Sequence, residues 1–297
     1  MTVKKDMKAK FRSLSGGLRR LLGRLRLPTP RPKRAAGLGL ALGGGFARGL
    51  AHIGVLKVLE ENNIPVRCLA GTSIGSIIAG AYASGVSLEE MTARGRKIRW
   101  RDFGQWTFSR MGFASNQRLE LLVKSFFRAT RFEDLKLPLA ILASDLVRAR
   151  AVVFTSGELT LAVRASCAYP GLFLPVNHNG QVLVDGMLVS GVPTRAVADL
   201  GATVVVAVVL NNLMPPAMPK SVVEVLGRSF SIAQQTAEPL WRRHADIVIE
   251  PDVGKYSWDD FACADELIAA GERAMRAALP KLQRLLKAPA GKPIAAR

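Results

Sequence analysis

From residue 36 onward, apolar positions follow two rhythms in alternation. Short, nearly continuous apolar runs occur at AGLGLAL (36–42), VRCLA (66–70), PLAILASDL (138–146), RAVVFTSG (150–157), QVLVDG (181–186), TVVVAVVL (203–210) and ADIVIEP (245–251). Runs of that length, rich in branched aliphatics and closed by glycine or polar clusters, predict strands. Between them the apolar residues step by three and four. LAHIGVLKVLEEN (50–62), SIIAGAYASG (76–85), SLEEMTARGRKIRW (87–100), NQRLELLVKSFF (116–127), ELTLAVRASCA (158–168), SVVEVLGRSFSIAQQTAEPLWRRH (221–244) and DELIAAGERAMRAALPKLQRLL (265–286) therefore predict helices. Strands that are apolar on both faces and alternate with helices predict an α/β fold. Its sheet is largely parallel and covered on both sides.

Residues 1–34 carry the second rhythm without the first. Phe11, Leu14, Leu18, Leu21, Leu22 and Leu25 are interleaved with Arg12, Arg19, Arg20, Arg24 and Arg26, and PTPRP follows. This is the pattern of a basic amphipathic helix, weakened by Gly16, Gly17 and Gly23. Two readings stand side by side: a disordered basic tail, or an anchor with leucines toward acyl chains and arginines toward anionic head groups. The chain expected from this division has a basic N-terminal segment at 1–34, one domain at 35–288 and a loose tail at 289–297.

Composition narrows the class. Of 297 residues 49% are hydrophobic, a globular balance with enough chain for a large core. The net charge is +19, but residues 1–34 hold twelve Lys or Arg against one Asp and so carry most of it. Nucleic acid is not expected as a partner, because the basic head offers only Phe11 for stacking. The run at 203–210 is too short to span a bilayer. No apolar N-terminal signal is present, and three scattered cysteines form no C-x-x-C pair. A cytoplasmic protein is expected, peripheral on the inner face of the membrane if the anchor reading holds, with no metal and no cofactor.

Two glycine-rich segments carry the candidate chemistry. GGGFARG (43–49) lies between a strand and a helix, where backbone N–H groups can be aimed at an anion. As a dinucleotide fingerprint it fails at the third required glycine, where Arg48 stands, and no acidic residue closes the second strand. A nucleotide-binding α/β protein is thus the weaker reading, and an oxyanion hole built from Gly43, Gly44 and Gly45 the stronger. GTSIG (71–75) places Ser73 between Gly71 and Gly75 at a strand–turn–helix junction, the geometry of a nucleophile elbow. A serine nucleophile needs a base. His52 reads as a core or supporting histidine, His178 lies in a hairpin turn, and His244 precedes a strand. Asp185 ends an apolar strand before a glycine. A Ser73–Asp185 dyad and a Ser73–Asp185–His244 triad both remain open on residue types alone.

GGGFARGLAHIGVL, GTSIG and Asp185-Gly186, in that order, resemble the patatin-like phospholipase family, in particular its bacterial branch related to neuropathy target esterase. The resemblance extends over roughly residues 36–280 and includes ADIVIEPDVG and ADELIAAGERA. It implies a three-layer α/β/α fold with a central, mostly parallel sheet. It implies Ser73 as nucleophile and Asp185 as base, with Gly43, Gly44 and Gly45 around the oxyanion, and Arg48 and Gly49 beside them. The substrate implied is a phospholipid or lysophospholipid, hydrolysed through an acyl-serine. Met187 departs from the family, which usually has Gly or Ala after Asp-Gly; it implies a narrower pocket, and it keeps a non-catalytic membrane-associated scaffold as the competing class. RWRDFGQWTFSRMGF (99–113) reads either as a cap helix on its own domain or as a lid that also meets lipid, with LNNLMPPAMPKS (210–221) as a second edge of the same rim.

Overall fold

The computed structural model describes residues 37–210 and 218–287, all within the compact unit Arg34–Arg297. The basic head, the C-terminal tail after 287 and most of the 210–221 edge lie outside the described residues.

Five parallel strands build the centre of the sheet: β1 (Leu38–Leu42), β2 (Val66–Thr72), β5 (Leu139–Asp145), β10 (Val204–Val208) and β11 (Ile247–Ile249). Three antiparallel strands extend it on the β5 side: β6 (Arg150–Phe154), β8 (Val176–His178) and β9 (Gln181–Asp185). Among the described residues the sheet runs β11-β10-β1-β2-β5-β9-β8, with β6 also on β5. Residue size sorts the two faces. Leu38, Leu40, Leu42, Val204, Val206 and Val208 point to one side. There they meet α1 (Ala51–Glu61), α2 (Ile74–Ser84), α3 (Leu88–Lys97) and α9 (Ala264–Lys287). The alternate positions Ala41, Ala70, Val205 and Ala207 point to the other side. That thinner layer holds α7 (Thr194–Asp199) and Trp241 of α8 (Val222–Arg242). Strands buried on both faces need no polar alternation, which is why these runs read as continuous apolar text. The protein is a three-layer α/β/α molecule with a mostly parallel central sheet.

One expected element is corrected. Residues 99–113 do not form a cap helix. After a single turn, α4 (Trp100–Phe103), the chain makes an antiparallel hairpin of β3 (Gln105–Ser109) and β4 (Gly112–Ser115). It then enters α5 (Arg118–Phe126). Gly104 and Gly112 break the helical pattern, and Trp106, Thr107 and Phe108 favour an extended chain. β4 pairs in turn with β7 (Gly171–Phe173), which follows α6 (Leu159–Ser166).

Candidate active site

β2 ends at Thr72, α2 starts at Ile74, and Ser73 makes the corner with φ 55° and ψ −127°. A non-glycine residue at positive φ is strained, and such strain gathers where a side chain must be aimed. The two flanking glycines are required by close approach. A Cβ on Gly71 would sit 2.4 Å from the Gly75 carbonyl oxygen, and one on Gly75 would sit 2.2 Å from that of Leu42. The corner is pinned by Ser166, whose Oγ accepts the Ser73 N–H at 2.9 Å and donates to Leu142 O at 2.7 Å. Ser73 is 6% exposed.

Asp185 reaches the same spot from the opposite direction. Strand β5 has two edges. β6 occupies one of them along Ile141–Asp145. The other edge is shared end to end: β2 pairs as far as Leu142, opposite Thr72, and β9 begins at Ala143, opposite Asp185. A parallel and an antiparallel strand thus meet head to head on adjacent positions of β5, and their last residues are brought together although 112 positions separate them in the chain.

The Asp185 carboxyl is fully buried. Its Oδ1 accepts the Met187 N–H at 2.9 Å. Its Oδ2 is buried and accepts no hydrogen bond of regular geometry. Burial pushes the carboxyl up to about 7, against the opposing pull of the Met187 N–H and the Ser73 hydroxyl. Thr72 and Asp185 stand opposite adjacent positions of β5, Leu142 and Ala143, so Ser73 follows directly on the residue that abuts the end of β9. Cys167 lies beside Ser73 and Asp185. Its thiol is pushed far up, first by burial and then by the Asp185 charge, so it stays protonated and does not compete as a nucleophile.

The glycine loop follows β1. Gly43 N–H donates to Val208 O at 3.0 Å and Gly44 N–H to Gly191 O at 3.3 Å, while Gly45 N–H makes no hydrogen bond with the described residues. His52 holds the loop from behind. Its Nε2 lies 2.9 Å from Gly43 O. A carbonyl only accepts, so Nε2 carries the proton and the buried Nδ1 is left as a bare acceptor. Burial takes the ring down to about 4, so His52 is neutral at ordinary pH. Gly49 lies under Ile74, the first residue of α2. Arg48 is buried, and its guanidinium donates Nε and Nη2 to the Tyr256 carbonyl at 3.0 and 2.7 Å. Met187 leans over the loop, and a Cβ on Gly44 would meet its Sδ at 2.4 Å. His244 stands before the N-terminal end of β11, whereas Ser73 and the glycine loop follow the C-terminal ends of β2 and β1.

Sequence reasoning passed over Ser166 and a line of rings. Trp106 is 6.1 Å from Trp100 between centroids, Trp100 5.9 Å from Trp258, and Trp258 5.0 Å from Phe46, next to Gly45. Phe46 meets Tyr169 at 5.6 Å, and Tyr169 meets Phe230 at 5.5 Å. No spacing rule links residues from five separate segments; the only local signal was the density of aromatics between 100 and 113.

A mostly parallel sheet between two helical layers, a strained serine at a strand–helix corner and a glycine loop behind it define a class of three-layer α/β/α proteins. The model of the patatin-like phospholipase family matches residues 40–198, more than half of the chain, and the chain belongs to that family. An uncharacterized NTE family protein of Mycobacterium tuberculosis is 32% identical over 276 residues, covering 83% of this chain and 47% of that protein. Lysophospholipase NTE1 of Yarrowia lipolytica is 34% identical over 182 residues, covering 59% of this chain and 13% of the yeast protein. The chain spans about half the length of the mycobacterial relative and a small part of the fungal one. Among solved structures, VipD of Legionella pneumophila aligns with a TM-score of 0.48 at 13% identity, covering 84% of this chain and 67% of that one.

Proposed function

We propose that the protein is a serine acyl hydrolase acting on phospholipids or lysophospholipids. Ser73 Oγ attacks the ester carbonyl carbon and its proton passes to Asp185. The tetrahedral intermediate expels the alcohol, which takes that proton, and leaves an acyl-Ser73. Water then attacks the acyl carbon, gives a proton to Asp185, and the fatty acid departs as the serine is restored. A carboxylate of ordinary pKa is a weak base for an alcohol. The observation that supports the reading is the fully buried Asp185, raised to about 7, at the end of the strand that meets the Thr72 end of β2 head to head along β5. A base poised near the working pH combines availability with driving force.

Gly45 supports the oxyanion role best among the glycine amides, since Gly43 N–H is committed to the sheet and Gly44 N–H to Gly191. The rings from Trp106 to Phe46 offer an apolar path for an acyl chain. The lipid class follows from the family and from the name of the yeast relative. The test is a turnover screen of dispersed phospholipids and lysophospholipids, read by mass spectrometry. Wild type should release fatty acid, and Ser73→Ala should lose at least about 10³-fold in rate. Undiminished release by Ser73→Ala, or none from any lipid by wild type, overturns the reading.

A further inference from the structure

The corner where α3, α4 and α5 meet holds a cavity of about 230 Å³ that shares no lining residue with the cleft beside the glycine loop. Arg94 of α3, Arg101 of α4 and Arg118 of α5 line it, with Ser125 and Leu121. Three arginines line it against one acidic residue, Asp102, whose Oδ2 already accepts the Arg99 N–H at 2.8 Å. Arg118 Nη1 donates to the Arg101 carbonyl at 2.9 Å. Arg94 Nε is buried without a partner, and the side chains of Arg94 and Arg101 make no ion pair or hydrogen bond with the described residues. Like charges gathered at a concave site, with one donor desolvated and unsatisfied, are costly unless an anion completes them. Several forked donors around a pocket several times the roughly 30 Å³ of a water molecule suit a phosphate group.

The surroundings point to the source of that phosphate. Leu121, in the cavity wall, is 68% exposed. The β3–β4 hairpin links α4 to α5, so its base adjoins Arg101 and Arg118. It carries Trp106, Met111 and Phe113 at 68, 60 and 51% exposure, with exposed Arg110 at its turn. A soluble anion has no use for this apolar fringe. A bilayer does, because tryptophan and phenylalanine enter the interface while arginines hold head groups. We propose that the Arg94–Arg101–Arg118 cavity seats the phosphate of an anionic phospholipid while the β3–β4 hairpin inserts Trp106, Met111 and Phe113 into the same bilayer. Lipid would then be gripped at a place other than Ser73, and the grip does not depend on catalysis.

The test is sedimentation of the full chain with vesicles, in a Ser73→Ala background so that no lipid is consumed. Vesicles of phosphatidylglycerol with phosphatidylcholine are compared with pure phosphatidylcholine. Arg94→Gln/Arg101→Gln/Arg118→Gln should lose about tenfold or more in affinity for the anionic vesicles and little for the neutral ones. Arg273→Gln/Lys281→Gln/Lys287→Gln on α9 removes the same charge elsewhere and should lose less than about threefold. Trp106→Ala/Phe113→Ala should weaken binding to both kinds of vesicle. If the triple variant proves unstable on thermal melting, Arg101→Gln alone, an exposed and unpaired side chain, must shift anionic binding the same way. Equal losses in the cavity and α9 variants, or no loss in the cavity variant, overturn the proposal. So does saturable stabilisation by inorganic phosphate, abolished by the cavity variant while vesicle binding stays intact, which would make this a site for a soluble anion.

Discussion

Asp185 carries two opposed demands, and both can be measured. As the proposed base it must be ionised, so with its carboxyl at about 7 kcat/KM should fall about tenfold per pH unit below 7 and level off above it. As a buried acid it should weaken the fold when ionised. Its folded pKa lies above the unfolded value, so the folded state holds the proton more tightly. The penalty is absent below about 4, grows up to about 7 and is constant beyond. Asp185→Asn should therefore melt higher than wild type at pH 8 and close to it at pH 4; the same difference at both would mean that burial does not set this pKa. Met187 offers a second test. It is 7% exposed and fills the space over Gly44. Met187→Ala should cost about 2–5 kcal/mol of stability, as large-to-small core changes do. It should also raise kcat/KM for bulky acyl esters relative to short ones, a ratio read with paired chromogenic substrates. An unchanged ratio would show that Met187 shapes packing and not substrate. These two residues were legible in the text because each belongs to a motif or breaks one. His52 was legible as a core or supporting histidine, and it holds Gly43 O; Ser166 was not identified, because the group it holds, Ser73 N, is a backbone atom placed by folding.

Strand direction decides the site at the next scale. The apolar runs made β1, β2, β5 and β10 readable, since strands covered on both faces leave unbroken aliphatic text. The same runs say nothing about which edge of β5 each neighbour takes, so the meeting of Thr72 with Asp185 along that edge was not visible. The hairpin at 105–115 escaped for another reason. Its aromatics also suit an amphipathic helix, and the tie that fixes it is the pairing of β4 with β7, more than fifty residues on. At this scale Ser166 of α6 is the element-to-element link. Ser166→Ala removes the acceptor for Ser73 N–H, at a cost of about 1–3 kcal/mol for a buried donor left unpaired. We expect kcat to fall about tenfold or more with KM nearly unchanged, because the corner is misaimed while the rings proposed to hold the acyl chain are untouched. Loss in KM alone, measured on a soluble ester, would place Ser166 outside the nucleophile's support.

At the scale of the whole molecule two features are proposed to meet lipid: the serine corner with its glycine loop, and the arginine corner with its hairpin. No helix among the described residues is long and apolar enough to cross a membrane. The basic segment at 1–34 lies outside the described residues, and its anchoring role remains a separate proposal; deleting it should reduce binding to anionic vesicles in sedimentation, and unchanged binding would remove it. The most direct test of the central claim is labelling by a fluorophosphonate probe, followed by mass spectrometry of the adducted peptide. The expected result is a single adduct on Ser73, formed faster as pH rises through about 7 and lost or slowed at least about 10²-fold in Asp185→Asn. Labelling elsewhere, or labelling of Ser73 at a rate indifferent to both pH and Asp185, would contradict it.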